Sequence, residues 1–336
     1  MPISSLTFLG TRLLDHQAGG VYCATDAAGT RPLSTDKGLT DQAAAVFAFA
    51  EHNLDEELAV ALEGLRNLQD RTGHPGFAEL ADRWWRHRPD WRIRTLRHQL
   101  YAATALLVGA DRNDDDYLRT RAADVLNRCL STVRDGEFPA RLTESWRPLD
   151  RLVASPMTAV AAVEAMAVAH AVGEDGVDTD RLPEIAARLA QLLVEPHPVA
   201  DLARCGTLAR LALALAQAGR LLGDGSLVTA ASRALGDATV RPPRRAVDAG
   251  HILRAGHELG RSGIDAWAAR NEAVRVLEEL TDRRNGGVFW ATSRMAINPT
   301  VMSDDPLLRR KTAQAQATAA RALGAVGVAL AGAVAA

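Results

Sequence analysis

The sequence predicts an all-α protein whose helices form an (α/α)6 barrel, a ring of six helical hairpins, with short β-hairpins where the ring closes. The first observation is an internal repeat, in which an acid, two glycines and a valine precede a lysine and a glutamine five residues after it. The two copies are Asp15, Gly19, Gly20, Val21, Lys37 and Gln42, and Asp282, Gly286, Gly287, Val288, Lys311 and Gln316. Such self-similarity indicates a repeat architecture. The other observations are a helical periodicity throughout the chain and an alternation of two kinds of helix.

Apolar residues at helical spacing predict a series of helices joined by short turns. Pro306 stands at the first position of the last helix, where its fixed φ suits a helix start. Gly173, Gly223 and Gly260 stand at helix ends, where glycine is common. The predicted helices span residues 3–15, 37–52, 55–71, a shorter piece at 77–88, 95–110, 117–133, 156–172, 181–195, 201–222, 225–237, 245–260 and 264–281, with a last helix from near residue 306.

The helices fall into two sets that alternate along the chain. Those starting near residues 37, 156, 201, 245 and 311 are apolar on most sides, which predicts burial. Those starting near 55, 117, 181, 225 and 264 carry charged stripes, such as Asp55-Glu56-Glu57, that should face water. With the helix near 95 inside and the helix 3–15 outside, six inner and six outer helices alternate. The repeat then places the same unit, outer helix, hairpin and inner helix, on both sides of the ring closure.

Length and charge exclude several classes of protein. No linker divides the 336 residues, so we expect a single domain spanning 1–336. A net charge of -2 gives no support for nucleic-acid or membrane partners, and no signal peptide or membrane span is expected. The scattered Cys23, Cys129 and Cys205 form neither a disulfide framework nor a metal-ligand pattern, which suggests the cytoplasm. We expect no metal and no cofactor, and homodimer formation stays open.

Six fragments of the chain occur in the order of one known superfamily. They are Asp15…Gly19-Gly20-Val21-Tyr22, Thr35-Asp36-Lys37…Gln42-Ala43, Glu144-Ser145-Trp146-Arg147-Pro148-Leu149, Ser155-Pro156-Met157-Thr158, Gly250-His251 and Lys311…Gln316. Together they resemble the N-acylglucosamine 2-epimerase superfamily, which includes cellobiose 2-epimerases and mannose isomerases. The resemblance implies an (α/α)6 barrel that interconverts sugars at C1 and C2. The chain departs from the pattern where Ala44 replaces an arginine, Thr158 a histidine and Arg254 an acid, so that His251 is the one family histidine kept.

The reaction that the resemblance implies removes a proton next to a carbonyl and returns it through an enediol. This chemistry needs a base with a pKa near neutrality and donors for the oxyanion. His251 is the leading candidate, one turn into an inner helix, with Asp248 on the same face to orient its ring. His98 begins another inner helix, and Arg94 four residues earlier shares its face. A structural role, bonded to a nearby carbonyl or acid, is the alternative for each histidine.

Other residues are candidate substrate contacts. Residues 84–94 combine three tryptophans with arginines, which is typical of a lid that stacks a sugar and holds an anionic group, or of a solvated basic loop. The expected partner is therefore a small molecule, a carbohydrate, and an anionic one if this lid binds it. For the two lysines a structural role is favoured, because identical copies five residues before a glutamine suit hydrogen bonding to the hairpins. The remaining candidates are Trp146, Thr158, Gln42, Tyr22, Trp290, Lys37 and Lys311.

Two other functions stay open. Glu144 lies just before the third inner helix and could be the carboxylate of a glycoside hydrolase, lyase or cyclase, with Asp248, Asp41 or Asp305 as its partner acid. Because most family histidines are missing, this hypothesis has nearly as much support as the isomerase or epimerase. The third is a non-catalytic binding or scaffold protein.

Overall fold

A computed structural model describes residues 4–70, 74–87, 93–134, 136–149, 152–194, 205–240, 243–291 and 310–325. Within them, long helices alternate between an inner and an outer ring. The inner helices are α2 (Leu39–Glu51), α4 (Leu96–Asn113), α6 (Pro156–Ala171), α8 (Cys205–Leu222), α10 (Ala246–Arg261) and α12 (Ala313–Ala325). The outer helices are α1 (Ser5–Phe8, continued by a π-helical turn Leu9–Leu13), α3 (Asp55–Leu68), α5 (Asp116–Leu130), α7 (Leu182–Gln191), α9 (Gly225–Thr239) and α11 (Trp267–Leu280).

The inner helices form a closed ring. Each packs against the next inner helix, and α12 packs against α2. Alanine dominates the buried faces of these helices, and small side chains allow their backbones to approach closely. Each outer helix packs on the inner helix before or after it. The (α/α)6 barrel predicted from the alternation of helices is therefore confirmed.

Short antiparallel strand pairs join neighbouring units of the ring. The strands are β1 (Ala24–Thr25), β2 (Lys37–Gly38), β3 (Leu80–Ala81), β4 (Arg94–Thr95), β5 (Arg141–Leu142) and β6 (Lys311–Thr312). Strand β2 pairs with β3, β4 with β5, and β6 with β1. In each pair one strand immediately precedes an inner helix and the other follows the hairpin of the next unit. The β6–β1 pair therefore closes the ring through the same contact as the other two junctions.

An acid, a cation and a glutamine fasten each hairpin to its inner helix, and we call this set a hairpin anchor. The ion pairs are Lys37–Asp15 at 2.9 Å, Arg94–Asp70 at 2.7 Å and Lys311–Asp282 at 2.8 Å. Five residues after each cation, a glutamine amide accepts from and donates to one hairpin residue; the pairs are Gln42 with Val21, Gln99 with Phe77 and Gln316 with Val288. The repeat predicted as two copies thus has a third copy, in which arginine replaces lysine.

The anchors need glycine beside the glutamine. Gly20 has a φ of 65° and Gly287 a φ of 71°. A Cβ atom on Gly20 would lie 2.5 Å from Gln42 Oε1, and one on Gly287 would lie 2.7 Å from Gln316 Oε1. A side chain at either position would therefore meet both backbone strain and a steric clash.

Several details differ from the sequence prediction. The short helix predicted at 77–88 is wrong, because Phe77 is held by Gln99 and Leu80–Ala81 pairs with β2. Lys37 lies in a strand, and its helix begins two residues later. Gly260 lies inside α10, and Gly263, with a φ of 80°, follows the helix end. The predicted start near Pro306 lies outside the described residues.

Candidate functional site

A cavity of about 300 Å³ lies on the axis of the ring and is lined by all six inner helices. It extends from the first turns of these helices, which we call the mouth, toward their middle, which we call the floor. Five arginines and two carboxylates line it, so the described wall is positively charged. The N-terminal ends of the inner helices add the positive ends of their dipoles at the mouth. This arrangement favours negatively charged groups inside the cavity.

A histidine–glutamate pair stands at the mouth. His98 Nδ1 lies 2.6 Å from Glu79 Oε2, and the other carboxylate oxygen, Oε1, accepts a 2.6 Å hydrogen bond from the backbone N–H of Thr95. Gln99 also donates to Glu79 at 3.2 Å. Glu79 is thus fixed by backbone and amide donors and in turn fixes the His98 ring, whose Nε2 lies 3.4 Å from Arg97 Nη2.

Asp248, also at the mouth, is bound by arginine rather than by His251. Arg245 donates two hydrogen bonds to its carboxylate, from Nε at 2.7 Å and from Nη2 at 2.6 Å. This two-point geometry is the strongest that arginine makes with an acid. The carboxylate predicted to orient the His251 ring is therefore held by a neighbour on its own helix.

His251 lies midway down the cavity, and its ring makes no hydrogen bond to any described residue. Its Nδ1 atom is buried and unpartnered. Burial, reinforced by Arg210, Arg254 and Arg321 nearby, holds the pKa of His251 well below 6.5. The imidazole is therefore neutral at physiological pH and has a nitrogen available to accept a proton.

The floor carries three arginines, on α8, α10 and α12. Arg210 binds Glu164 at 2.7 Å, and Arg321 binds Glu51 at 2.7 Å. Arg254 lines the same floor, and the described residues offer it neither a hydrogen bond nor an ion pair. We call Arg210, Arg254 and Arg321 the arginine floor. This cluster was not predicted, and the only signal for it in the sequence is charge at positions of otherwise apolar inner helices.

Three of the twelve predicted site residues, His251, His98 and Asp248, line the cavity together. The other nine are not part of its wall; they are Glu144, Arg94, Trp146, Thr158, Gln42, Tyr22, Trp290, Lys37 and Lys311. Most of these lie in or against the hairpin anchors.

Contacts explain the positions of the outlying residues. Arg94, 1% exposed, binds Asp70 and the Pro75 carbonyl, and its guanidinium stacks on the Trp146 ring at 4.7 Å. Lys37 and Lys311 are fully buried in their anchors, as the favoured interpretation of the lysines required. Arg94 and the two lysines therefore hold the fold.

The aromatic and hydroxyl candidates also pack against other side chains or lie buried, outside the cavity wall. The Tyr22 ring lies 4.2 Å from Lys37 Nζ, and Arg310 stacks on Trp290 at 4.7 Å. Thr158 is buried in the first turn of α6. Of the predicted lid, Trp84 is exposed, and residues 88–92 lie outside the described ranges.

Asp41 lies at the start of α2, near His98, and is a further titratable group beside the cavity. Burial raises the pKa of Asp41 to about 7, although a hydrogen bond from Gln314 and the nearby His98 lower it. Its carboxyl group thus exchanges a proton close to neutral pH. Within the described residues no group of three histidine, cysteine or acidic side chains is placed to hold a metal ion. No helix of the same ranges combines the length and apolar character needed to cross a membrane.

The Asp41→Asn variant should lose part of the pH dependence of stability. Between about pH 4 and pH 7 the folded state keeps a proton that the unfolded chain has released, so stability falls as pH rises through this window. A pKa of Asp41 raised by about three units corresponds to up to about 4 kcal/mol of unfolding free energy that the wild type loses above pH 7. The Asp41→Asn variant should regain this free energy. Urea unfolding of both proteins from pH 4 to pH 8 measures this. The exposed Asp116→Asn is the control, and parallel profiles for Asp41→Asn and the wild type would show that Asp41 is ionised in the folded protein.

No protein-family model matches the sequence, and a search of curated proteins finds no match. Solved structures do match it. A sugar epimerase from a ruminal bacterium has a TM-score of 0.78 and 12% identity, covering 96% of each chain. A cellobiose 2-epimerase from Spirochaeta thermophila has a TM-score of 0.73 and 15% identity, covering 95% of this chain and 92% of that chain.

The same architecture occurs in a different class of enzyme. The α-1,6-mannanase GH76A from Salegentibacter sp. has a TM-score of 0.63 and 12% identity, covering 96% of this chain and 97% of that chain. At such identities the likeness establishes the fold alone. The resemblance to sugar epimerases inferred from sequence is thus confirmed at the level of the fold.

Proposed function

We propose that the protein is an isomerase or epimerase that transfers a proton next to the carbonyl group of a sugar or sugar-like compound. The observation that carries the proposal is the neutral His251 ring, which makes no hydrogen bond to the described residues, in a cavity walled by arginines. A neutral imidazole can take a proton. The lowered pKa makes His251 a weaker base than a histidine that titrates near neutrality, and the fixed positive charges offset this by stabilising the enediolate that forms. The sugar epimerases with the same fold support the carbohydrate class of substrate.

The residues of the cavity suggest a role for each step. His251 removes the proton from the carbon beside the carbonyl, and the electron pair moves onto the carbonyl oxygen. Arg210 has a buried Nε–H to which no described residue offers an acceptor, which suits it to hold that oxygen. For an isomer, His251 delivers its proton to the former carbonyl carbon while the neighbouring hydroxyl proton passes to the former carbonyl oxygen. For an epimer, His251 keeps its proton and a protonated His98, oriented by Glu79, delivers another to the original carbon from the opposite face.

A hydrolase has less support from the cavity. Of the two lining carboxylates, Asp248 is bound by Arg245 and Glu164 by Arg210. Glu144, the acid that sequence analysis favoured for hydrolysis, is not part of the cavity wall. A glycoside hydrolase needs one protonated and one ionised carboxyl on either side of the scissile bond. Asp41, whose pKa is raised to about 7, could supply the protonated carboxyl, but it lies beside the cavity rather than in its wall.

Solvent exchange tests the reaction class directly. The wild-type protein in D2O should incorporate deuterium at the carbon beside the carbonyl of at least one compound in a panel of aldoses, ketoses and their acidic derivatives, detected by proton NMR. Each proton removed by His251 exchanges with solvent, so the signal appears even where no net conversion is seen. Absence of exchange over the panel, together with release of reducing ends from α-mannosides, would replace the proposal by the hydrolase.

A further inference from the structure

The arginine floor holds more positive charge than its carboxylates neutralise. Arg210 and Arg321 each have an acid, Glu164 and Glu51, within 2.7 Å. Arg254, between them on α10, lies near both acids without bonding to either. The cavity therefore ends at a guanidinium whose donors are uncommitted among the described residues.

A half-buried guanidinium that no described acid binds is costly. A charge taken out of water is disfavoured unless a counter-charge and hydrogen bonds satisfy it. Burial, followed by repulsion from Arg321, lowers the pKa of Arg254, and the nearby Glu164 and Glu51 only partly offset this. Such a group is stabilised when an anion binds, because the anion supplies the missing charge and acceptors.

Other polar atoms around the floor also lack hydrogen-bond partners in the described part of the chain. Gln217 Oε1, Arg210 Nε and His251 Nδ1 are buried without a hydrogen bond among the described residues, and all three residues line the cavity. Buried polar groups are nearly always hydrogen-bonded in folded proteins. Three such atoms around one cavity point to a polar ligand that completes them.

Cavity size limits the ligand. Small-molecule sites usually enclose about 300–1,000 Å³, and this cavity encloses about 300 Å³. Such a volume suits a monosaccharide better than a disaccharide. Arg254 follows His251 by three residues on α10, so the two side chains are neighbours about one turn apart.

We propose that Arg254 and Arg321 of the arginine floor bind the acid group of a monosaccharide-sized substrate, with Arg254 as its principal partner, while Arg210 stays with the carbonyl end. The inference rests on the proposed function, in that the carbonyl end of the same molecule lies at His251. The acid group, a carboxylate or a phosphate, then lies at the opposite end of the sugar. Planar guanidinium donors fit the oxygens of either group.

Binding measurements test this inference without any need for turnover. Calorimetry on the full-length protein would compare D-glucuronate and D-glucose 6-phosphate with neutral D-glucose, and thermal unfolding would compare inorganic phosphate with chloride at equal ionic strength. We expect at least one of the two sugar acids to bind more tightly than D-glucose, and the difference between them identifies a carboxylate or a phosphate. Equal affinity for the neutral sugar, or no binding of any acid probe, would overturn the inference.

The Arg254→Gln variant tests whether Arg254 is the principal partner of the acid group. Loss of one partner from a buried charged contact costs enough to weaken acid binding about 30-fold or more. Its unliganded thermal stability should be no lower than that of the wild type, because the charge removed is half-buried and bound by no described acid. Arg275→Gln, on the outer helix α11, is the matched control and should bind as the wild type does.

A second variant guards against misfolding. Arg254→Lys keeps the charge but loses the two-point geometry, and should weaken binding by about tenfold. Wild-type affinity in both Arg254 variants would overturn the assignment. Acid binding without deuterium exchange would leave the anion site standing and remove the proposed reaction. Deuterium exchange on neutral sugars without acid binding would leave the proposed reaction standing and remove the anion site.

Discussion

Replacing His251 by asparagine should reduce deuterium exchange into substrate by about 100-fold or more. A positioned general base contributes on the order of 100- to 10,000-fold to a rate, and no other described group with a free imidazole nitrogen lies at the middle of the cavity. Because the ring makes no hydrogen bond to the described residues, its loss should leave the fold intact, which circular dichroism can verify.

A matched histidine variant separates chemistry from general damage. His170→Asn changes the same residue type at the exposed end of α6 and should exchange at the wild-type rate. An exchange rate in His251→Asn within about threefold of the wild type would remove His251 from the reaction and favour the hydrolase or the binding protein.

The pH profile of the wild type gives an independent check on the same residue. Because burial and nearby arginines hold the pKa of His251 well below 6.5, the basic form persists as the solution becomes acidic. The exchange rate should therefore stay constant as pH falls through 6.5 and decline only at lower pH. A rate that is halved near pH 6.5 would show that the reacting base titrates as an ordinary exposed imidazole does.

The Lys311→Met variant should lose about 3–5 kcal/mol of unfolding free energy, measured by urea denaturation at pH 7. Lys311 is fully buried and is the only cation within the ion-pair distance of Asp282 in the described part of the chain. Burial raises the pKa of Asp282, but hydrogen bonds from Lys311 and from the backbone of Asn285 and Arg284 bring it down to about 2. Without Lys311, the carboxylate stays buried with only neutral donors.

The equivalent lysine provides the control. Asp15 is bound by Lys37 and also by Arg83, through bonds of 3.1 and 3.2 Å. Lys37→Met should therefore cost clearly less than Lys311→Met. Combining Asp282→Asn with Lys311→Met should restore part of the loss, because the unpaired charge is removed with its partner. Equal losses in the two single variants would contradict this account of the anchors.

Helix periodicity and the repeat were enough to predict the ring, because both can be recognised from the spacing of residues along the sequence. The third anchor was missed for two reasons. Arg94 stands in place of the lysine, and one extra residue separates Asp70 from Gly76. Its remaining signal was the glutamine at Gln99, five residues after the cation. The helix predicted at 77–88 failed because pairing with β2 and with Gln99 outweighs a weak local preference.

The site was harder to predict than the fold. His251, His98 and Asp248 line the cavity, because helical spacing determines which side of an inner helix they occupy. Glu79 was missed because it reaches His98 from a different unit of the ring, a contact that no local pattern encodes. The anchor residues were proposed to bind substrate because polar residues repeated in apolar surroundings resemble a site. In the structure their polarity is satisfied by the hairpins.

The β6–β1 contact has a consequence for how the molecule assembles. Strand β1 lies within the first 25 residues and β6 begins at residue 311, so closure joins segments separated by nearly the whole sequence. During synthesis the growing chain remains an open arc, with α2 lacking the neighbour α12. Until closure the cavity also lacks Gln314, Thr318 and Arg321, which complete its wall. Ligand binding and the β6–β1 closure are therefore coupled, and a nascent chain cannot form the full cavity before α12 has been made.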